Sequence, residues 1–256
     1  MQKGFFCLCF FLCISLSDLS TAMLFFENLS FGYPTRRWLL PENASLEGGQ
    51  IVALLGRNGA GKSTFLRSIA RQLPIIKGNI YIDSHEIRQF SIADYAQKVA
   101  VVRTEKIQIP YCSLRQLVAF GRLPHSNYWG ELQAQDWQKV DATLARFGLE
   151  ALAHRISSDL SDGELQLALL ARAVAQDCPI LLLDEITSHL DFINRRLVFE
   201  QLATLAKEEK KLIIIASHEL ELVLQYSQQL LIFAQQKATL LANNEISIND
   251  ILRYWQ

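Results

Sequence analysis

Residues Gly56-Arg57-Asn58-Gly59-Ala60-Gly61-Lys62-Ser63 fit the pattern GxxxxGK[ST]. They stand between Gln50 to Leu55, an apolar run that reads as a buried strand, and Ser63 to Leu73, which reads as a helix with Phe65, Leu66, Ile69 and Leu73 on one face. A strand, a glycine-rich turn and a helix in that order demand an α/β core. The glycines let the backbone curl so that its N–H groups point inward at phosphate oxygens, and the helix N-terminus adds the positive end of its dipole. Lys62 is expected to reach the β and γ phosphates and the Ser63 hydroxyl to ligate Mg²⁺. The candidate loop contacts are Gly56, Asn58, Gly59, Ala60, Gly61, Lys62, Ser63 and Thr64.

The rest of the chain agrees with that core. Ile180 to Leu183 precedes a helical pattern from Leu190 to Ala206, and Leu212 to Ala216 precedes another from Glu219 to Gln228. Fully apolar strands alternating with helices are the mark of buried parallel sheets. From Ile107 to Leu160 the pattern turns helical with Gly and Pro breaks, predicting a helical subdomain at about 105–160 inserted into the core. The strand Ile180 to Leu183 runs into Asp184 and Glu185, and strand ends in open α/β sheets are where ligands sit. Asp184 is expected to hold Mg²⁺. Glu185, read as pointing to the other side of an extended chain, is expected to position or deprotonate an attacking water.

Leu160-Ser161-Asp162-Gly163-Glu164 lies 23 residues before Asp184 (184 − 161). On chemical grounds Ser161 and Glu164 form a capping box that opens an apolar helix. The segment also resembles the LSGGQ signature of ATP-binding cassette (ABC) proteins, in an LSDGE variant, and further matches follow in family order over Met23 to Gln256. The resemblance implies a P-loop NTPase core with a mostly parallel sheet, an N-terminal antiparallel β part and the inserted helical subdomain. It also implies that Ser161, Asp162, Gly163 and Glu164 cap the nucleotide held by the other subunit, so that two chains form a head-to-tail homodimer. Tyr33 resembles the aromatic residue that stacks on adenine, although a Tyr after a strand equally serves core packing. Ser188-His189-Leu190-Asp191 resembles the D-loop, with Asp191 touching the partner subunit, and His218 resembles the switch histidine that contacts the γ-phosphate.

Two positions depart from the family. After the strand Val99 to Val102, Thr104 stands where a glutamine that senses Mg²⁺ and links to the membrane partner is expected. Ile186 replaces a proline, a loop variation without chemical consequence. Leu117 to His125 looks like a segment of cassette proteins that serve iron-chelate, haem and cobalamin importers. The bland reading of the same residues is a helix ending at Gly121 with a Pro-His turn.

The function expected from this reading is an ATP-hydrolysing importer subunit on the cytoplasmic face of the inner membrane, taking up a ferric siderophore or a related metal chelate. ATP and Mg²⁺ are its cofactors; separate permease subunits, and through them a substrate-binding protein, are its partners. The alternative is a soluble cassette ATPase of DNA repair, translation or iron–sulfur assembly. Lys plus Arg number 25 and Asp plus Glu 26, so the net charge of -1 speaks against a chain whose main task is gripping nucleic acid.

The first 22 residues conflict with the rest. Phe5 to Leu16 is uncharged, follows Lys3 and precedes Ser20-Thr21-Ala22, which is signal-peptide grammar and too short to span a membrane. Met23 opens directly on a strand, so residues 1–22 are expected to come from an upstream start outside the working protein, with an interfacial anchor as the alternative. The cysteines at 7, 9, 13, 112 and 178 show no disulfide framework and no metal-ligand spacing.

Overall fold

The computed structural model describes residues 23–40, 43–103, 109–243, 246 and 248–254. The signal-like segment 1–22, with its three cysteines, and Thr104 lie outside the described residues.

The central strands are β4 (Gln50–Gly56), β7 (Val99–Arg103), β8 (Ile180–Asp184), β9 (Leu212–Ala216) and β10 (Gln229–Ala234). They run parallel in the order β10-β4-β9-β8-β7. Their side chains alternate between two apolar layers. Ile51, Ala53 and Leu55 of β4, Leu181 and Leu183 of β8, and Ile213 and Ile215 of β9 face one layer. Val52, Leu54, Ile180, Leu182, Leu212 and Ile214 face the other. Burial on both faces is why these strands read as unbroken apolar runs instead of alternating ones.

The antiparallel part consists of β1 (Leu24–Tyr33), β2 (Arg36–Leu39), β3 (Ala44–Leu46), β5 (Ile75–Ile82) and β6 (His85–Glu86). It joins the parallel strands through β11 (Lys237–Ala242), which pairs antiparallel with β10 and parallel with β2. Behind this curl lies α1 (Lys62–Ile69), whose Phe65 is packed among Phe26, Phe31 and Phe233 with ring centroids 5.3, 5.3 and 5.8 Å away. Helix α1 is shorter than the sequence pattern suggests. It ends at Ile69 because the chain turns through Arg71 at φ 57° before Leu73 and Pro74, and Pro74 cannot follow a helical residue without a clash.

The remaining helices are α2 (Ile92–Ala96), α3 (Leu114–Ala119), α4 (Ala134–Arg146), α5 (Asp162–Ala175), α6 (Phe192–Glu209), α7 (Leu220–Tyr226) and α8 (Ile248–Tyr254). Helix α6 starts at Phe192 instead of Leu190 because the Asp191 carboxylate accepts the Asn194 N–H at 2.8 Å and caps it there. Helices α3, α4 and α5 pack together, yet they share one apolar cluster with β4, β8 and β9. The helical insertion therefore has no core of its own.

Two details tie that insertion down. The chain continues from α3 as a 3₁₀ helix, Phe120–His125, which comes so close to α5 that a Cβ on Gly121 would stand 2.0 Å from the Arg172 carbonyl oxygen. Arg122 is buried and gives its Nε to Asp136 Oδ1 at 3.0 Å and its Nη1 to the Ala175 carbonyl at 2.9 Å. The His125 ring donates to the Gln176 carbonyl at 2.8 Å. In this chain, then, the residues from 117 to 125 fasten α3 to α4 and α5.

Candidate functional site

β4 ends at Gly56 and β8 at Asp184, while β9 ends at Ala216 directly opposite Asp184. The glycine-rich loop, the two carboxylates and the stretch leading to His218 therefore emerge at one edge of the sheet, as expected for the carboxyl ends of parallel strands. A cleft of about 560 Å³ opens there, lined by the hairpin residues Tyr33, Thr35, Arg36 and Trp38, by Asn58 to Thr64, and by Glu185.

Of the loop residues, Asn58 to Thr64 line the cleft, and Gly56 ends β4. Gly61 sits at φ 112°, a conformation that costs an L side chain, and a Cβ on it would lie 2.5 Å from Trp38 Nε1. Glycine is required there on both counts. The residue after it starts α1, so the first-turn N–H groups of the helix are left free for an anion. Lys62 is buried, and its Nζ donates to the Gly56 carbonyl at 2.8 Å. Burial lowers the ammonium pKa, and the charges of Glu185 and Asp184 oppose that effect. A phosphate chain lying in the loop would offer Lys62 a stronger acceptor than a peptide carbonyl.

At the floor, Ser63 Oγ donates to Asp184 Oδ1 at 2.9 Å. Burial raises the Asp184 carboxyl above its ordinary value; the Ser63 hydrogen bond works against it, the Glu185 charge adds to it, and Arg103 and Arg67 offset part of the rise. A cation beside Asp184 would favour its charged form. Two hard oxygen donors next to a phosphate loop fit Mg²⁺, which takes one or two protein ligands and completes its shell with water and phosphate oxygens. Among the described residues no group of three or more His, Cys, Asp or Glu side chains could hold a metal by itself.

Glu185 departs from the reading of an extended chain. Its φ is 55°, in the left-handed region, and its N–H is bonded to the Ala216 carbonyl at 3.0 Å. This turn at the strand end, and not strand alternation, brings the carboxylate into the cleft. A glutamate held in that region is strained, and such strain persists where surrounding contacts fix it. The His218 ring donates its Nε2–H to Glu185 Oε1 at 3.0 Å. Ile186, just beyond, is buried in the apolar layer, which agrees with its having no chemical part.

Ser161, Asp162, Gly163, Glu164 and Asp191 are absent from the lining of this cleft. Ser161 and Glu164 form the predicted capping box at the start of α5: Ser161 Oγ accepts from the Glu164 N–H at 3.3 Å, and Glu164 Oε2 accepts from the Ser161 N–H at 2.7 Å and its hydroxyl at 2.8 Å. Those bonds hold the Glu164 carboxyl below its ordinary value. Gly163 faces the chain before α6, with its Cβ position 3.6 Å from the His189 carbonyl. Tyr33, in contrast, stands at the cleft rim, and its 39% exposure rules out the core-packing reading. Thr35, Arg36 and Trp38 line the cleft without a motif to announce them; the one signal available was their position just after Tyr33 in the same hairpin.

Comparison with known proteins agrees with this geometry. A family model described as ABC transporter matches residues 41–188. The petrobactin import ATP-binding protein FpuC of Bacillus anthracis is 33% identical over 215 residues, covering 84% of this chain and 79% of that protein. The iron(3+)-hydroxamate import ATP-binding protein FhuC of Bacillus subtilis (strain 168) is 30% identical over 230 residues, covering 89% and 85%. Among solved structures, an inward-facing conformation of an ABC transporter assigned to the metal-chelate type superposes with a TM-score of 0.77 at 29% identity, over 91% of this chain and 88% of that one. The dimeric ATP-binding cassette MJ0796 with ADP and Pi, at 22% identity and a TM-score of 0.74 over 88% and 100%, shares the fold. With more than half its length matched by the family model and its phosphate loop, Asp184, Glu185 and His218 gathered at one sheet edge, the chain belongs to the ABC transporter family.

Proposed function

We propose that this ABC ATPase drives the import of a metal chelate, with ferric siderophores as the leading class and haem and cobalamin as related cargo. The names of the relatives that import petrobactin and iron(3+)-hydroxamate support the cargo class. The observation that carries the mechanism is a cleft lined by Lys62, Ser63 and Glu185, with Asp184 bonded to Ser63 and His218 bonded to Glu185.

In this reading the N–H groups of the loop from Gly56 to Thr64 and the Lys62 ammonium hold the phosphates of ATP, and Tyr33 supports the base. Ser63 and Asp184 are the ligands for Mg²⁺, which when bound neutralises charge on the β and γ phosphates. Glu185 is the group that orients the attacking water and accepts its proton. His218 fixes the Glu185 carboxylate through its Nε2–H and faces the γ-phosphate position. The signature residues Ser161, Asp162, Gly163 and Glu164, with Asp191, complete the site of a second copy, since they stand outside the cleft of their own chain. Among the described residues no helix is long and apolar enough to cross a membrane. The permease is a separate set of chains at which this subunit acts peripherally, on the cytoplasmic face of the inner membrane, with a substrate-binding protein selecting the cargo.

The test is uptake of labelled ferric siderophores, haem and cobalamin by cells lacking this gene and by cells complemented with it. Loss of iron-chelate uptake that complementation restores is the expected result. Unchanged uptake of all three would sink the importer assignment and favour the soluble ATPase alternative.

A further inference from the structure

The nucleotide cleft contains a cation that no motif assigns. Arg36 opens β2 directly across from Tyr33, so the hairpin that carries the aromatic rim residue also carries a guanidinium. The Arg36 Cζ lies 5.0 Å from the centre of the Trp38 ring, and Nη1 reaches to 3.9 Å from the position a Cβ on Gly59 would take. The charge thus stands beside the phosphate loop, between Tyr33 and Gly59. Among the described residues no carboxylate lies within ion-pair distance of it, while Lys62 at the floor of the same cleft is directed to the Gly56 carbonyl.

Trp38 explains why Arg36 stays there. Its ring is 3% exposed, stacks on Phe31 with centroids 6.2 Å apart, and abuts Gly61. Its Nε1–H is buried without a hydrogen-bond partner, an arrangement that costs free energy and persists at sites where something other than stability is served. A fixed aromatic face under the guanidinium restricts the arginine's rotamers and keeps its planar set of N–H donors beside the glycine loop. Planar donors of fixed direction suit phosphate oxygens better than a single ammonium does.

We propose that Arg36, held on the Trp38 ring, is a second cation of the nucleotide cleft and binds the phosphate chain of ATP beside the glycine loop. Trp38 is the positioning residue: it touches no phosphate itself but sets both the Arg36 direction and the close packing under Gly61. The proposal rests on ATP binding at this cleft, and the controls separate the two.

The test uses the full chain as wild type, Arg36→Gln, Arg36→Lys and Trp38→Phe, titrated calorimetrically with Mg-ATP, Mg-ADP and adenosine at low and high salt. Arg36→Gln is expected to weaken ATP and ADP about tenfold at low salt and less at high salt, to leave adenosine binding unchanged, and to raise KM with kcat nearly constant. Arg36→Lys should fall between the two. Trp38→Phe keeps a ring for Arg36 and should bind ATP within about threefold of wild type. Trp38→Leu removes the ring; if it folds by circular dichroism, combining it with Arg36→Gln should cost no more than either change alone. ATP affinity unchanged in Arg36→Gln, or an equal loss for ATP and adenosine, would overturn the proposal while leaving the site intact. A wild-type chain that binds no ATP would overturn the site reading and this proposal together.

Discussion

Glu185 shows what one residue can hide. Its type and place after an apolar strand were legible, but its φ of 55° and its hydrogen bond from His218 depend on where β9 ends, 31 residues on (216 − 185). The assigned roles predict different losses at neighbouring positions. Lys62→Ala removes the buried ammonium over the loop and should abolish ATP binding measured by calorimetry. Glu185→Gln keeps the size and hydrogen-bonding capacity of the side chain but not its basicity, so ATP should still bind while turnover falls about 100-fold or more. Hydrolysis at the wild-type rate in Glu185→Gln would refute the role given to this carboxylate. Cys178 illustrates the opposite case: burial pushes its thiol up to about 12, so it is an apolar filler and not a nucleophile.

Among the elements, the helical insertion depends on caps and one buried ion pair. Capping boxes start α3 at Ser113 and Gln116, α4 at Gln133 and Asp136, and α5 at Ser161 and Glu164. Only the last was evident beforehand, because the α4 box uses Gln133, an uncommon cap residue, and the α3 box follows a segment with no strong helical period. Burial by itself would raise the Asp136 carboxyl, but the Gln133 backbone N–H and the Arg122 guanidinium outweigh it and hold the group below its ordinary value. A carboxylate with a lowered folded-state pKa contributes stability above its unfolded value of about 4 and loses it as pH falls through the lower folded value. The urea midpoint of the wild type should therefore decline below about pH 4 more steeply than that of Asp136→Asn. At neutral pH Arg122→Ala, which leaves Asp136 buried without its partner, should cost about 3–5 kcal/mol in urea unfolding. A cost under about 1 kcal/mol would mean that the pair is not what fastens α4 to the 3₁₀ turn.

For the whole molecule, the division of the proposed constellation is the main consequence: one cleft is lined by the phosphate loop and Glu185, with Asp184 bonded to Ser63 and His218 to Glu185, and the signature at the head of α5 lies outside it. Two copies are needed to surround one ATP in that reading. Glu185→Gln protein should pass from monomer to dimer on size-exclusion chromatography when Mg-ATP is added, and a protein that binds ATP yet stays monomeric would contradict closure without the permease. The sequence by itself determined the α/β class and the strand-loop-helix unit, and it named Lys62, Ser63, Asp184 and Glu185 as candidates, because a phosphate loop uses neighbouring backbone groups and buried parallel strands must be apolar along their whole length. It also showed the α5 cap, a three-residue pattern. Only the tertiary structure decided that the helical insertion shares the core of the sheet, that Glu185 reaches the cleft through a left-handed turn, and that Arg36 and Trp38 stand against the glycine loop. Those arrangements join segments far apart in the chain, and side-chain packing across such distances leaves no periodic trace in the sequence.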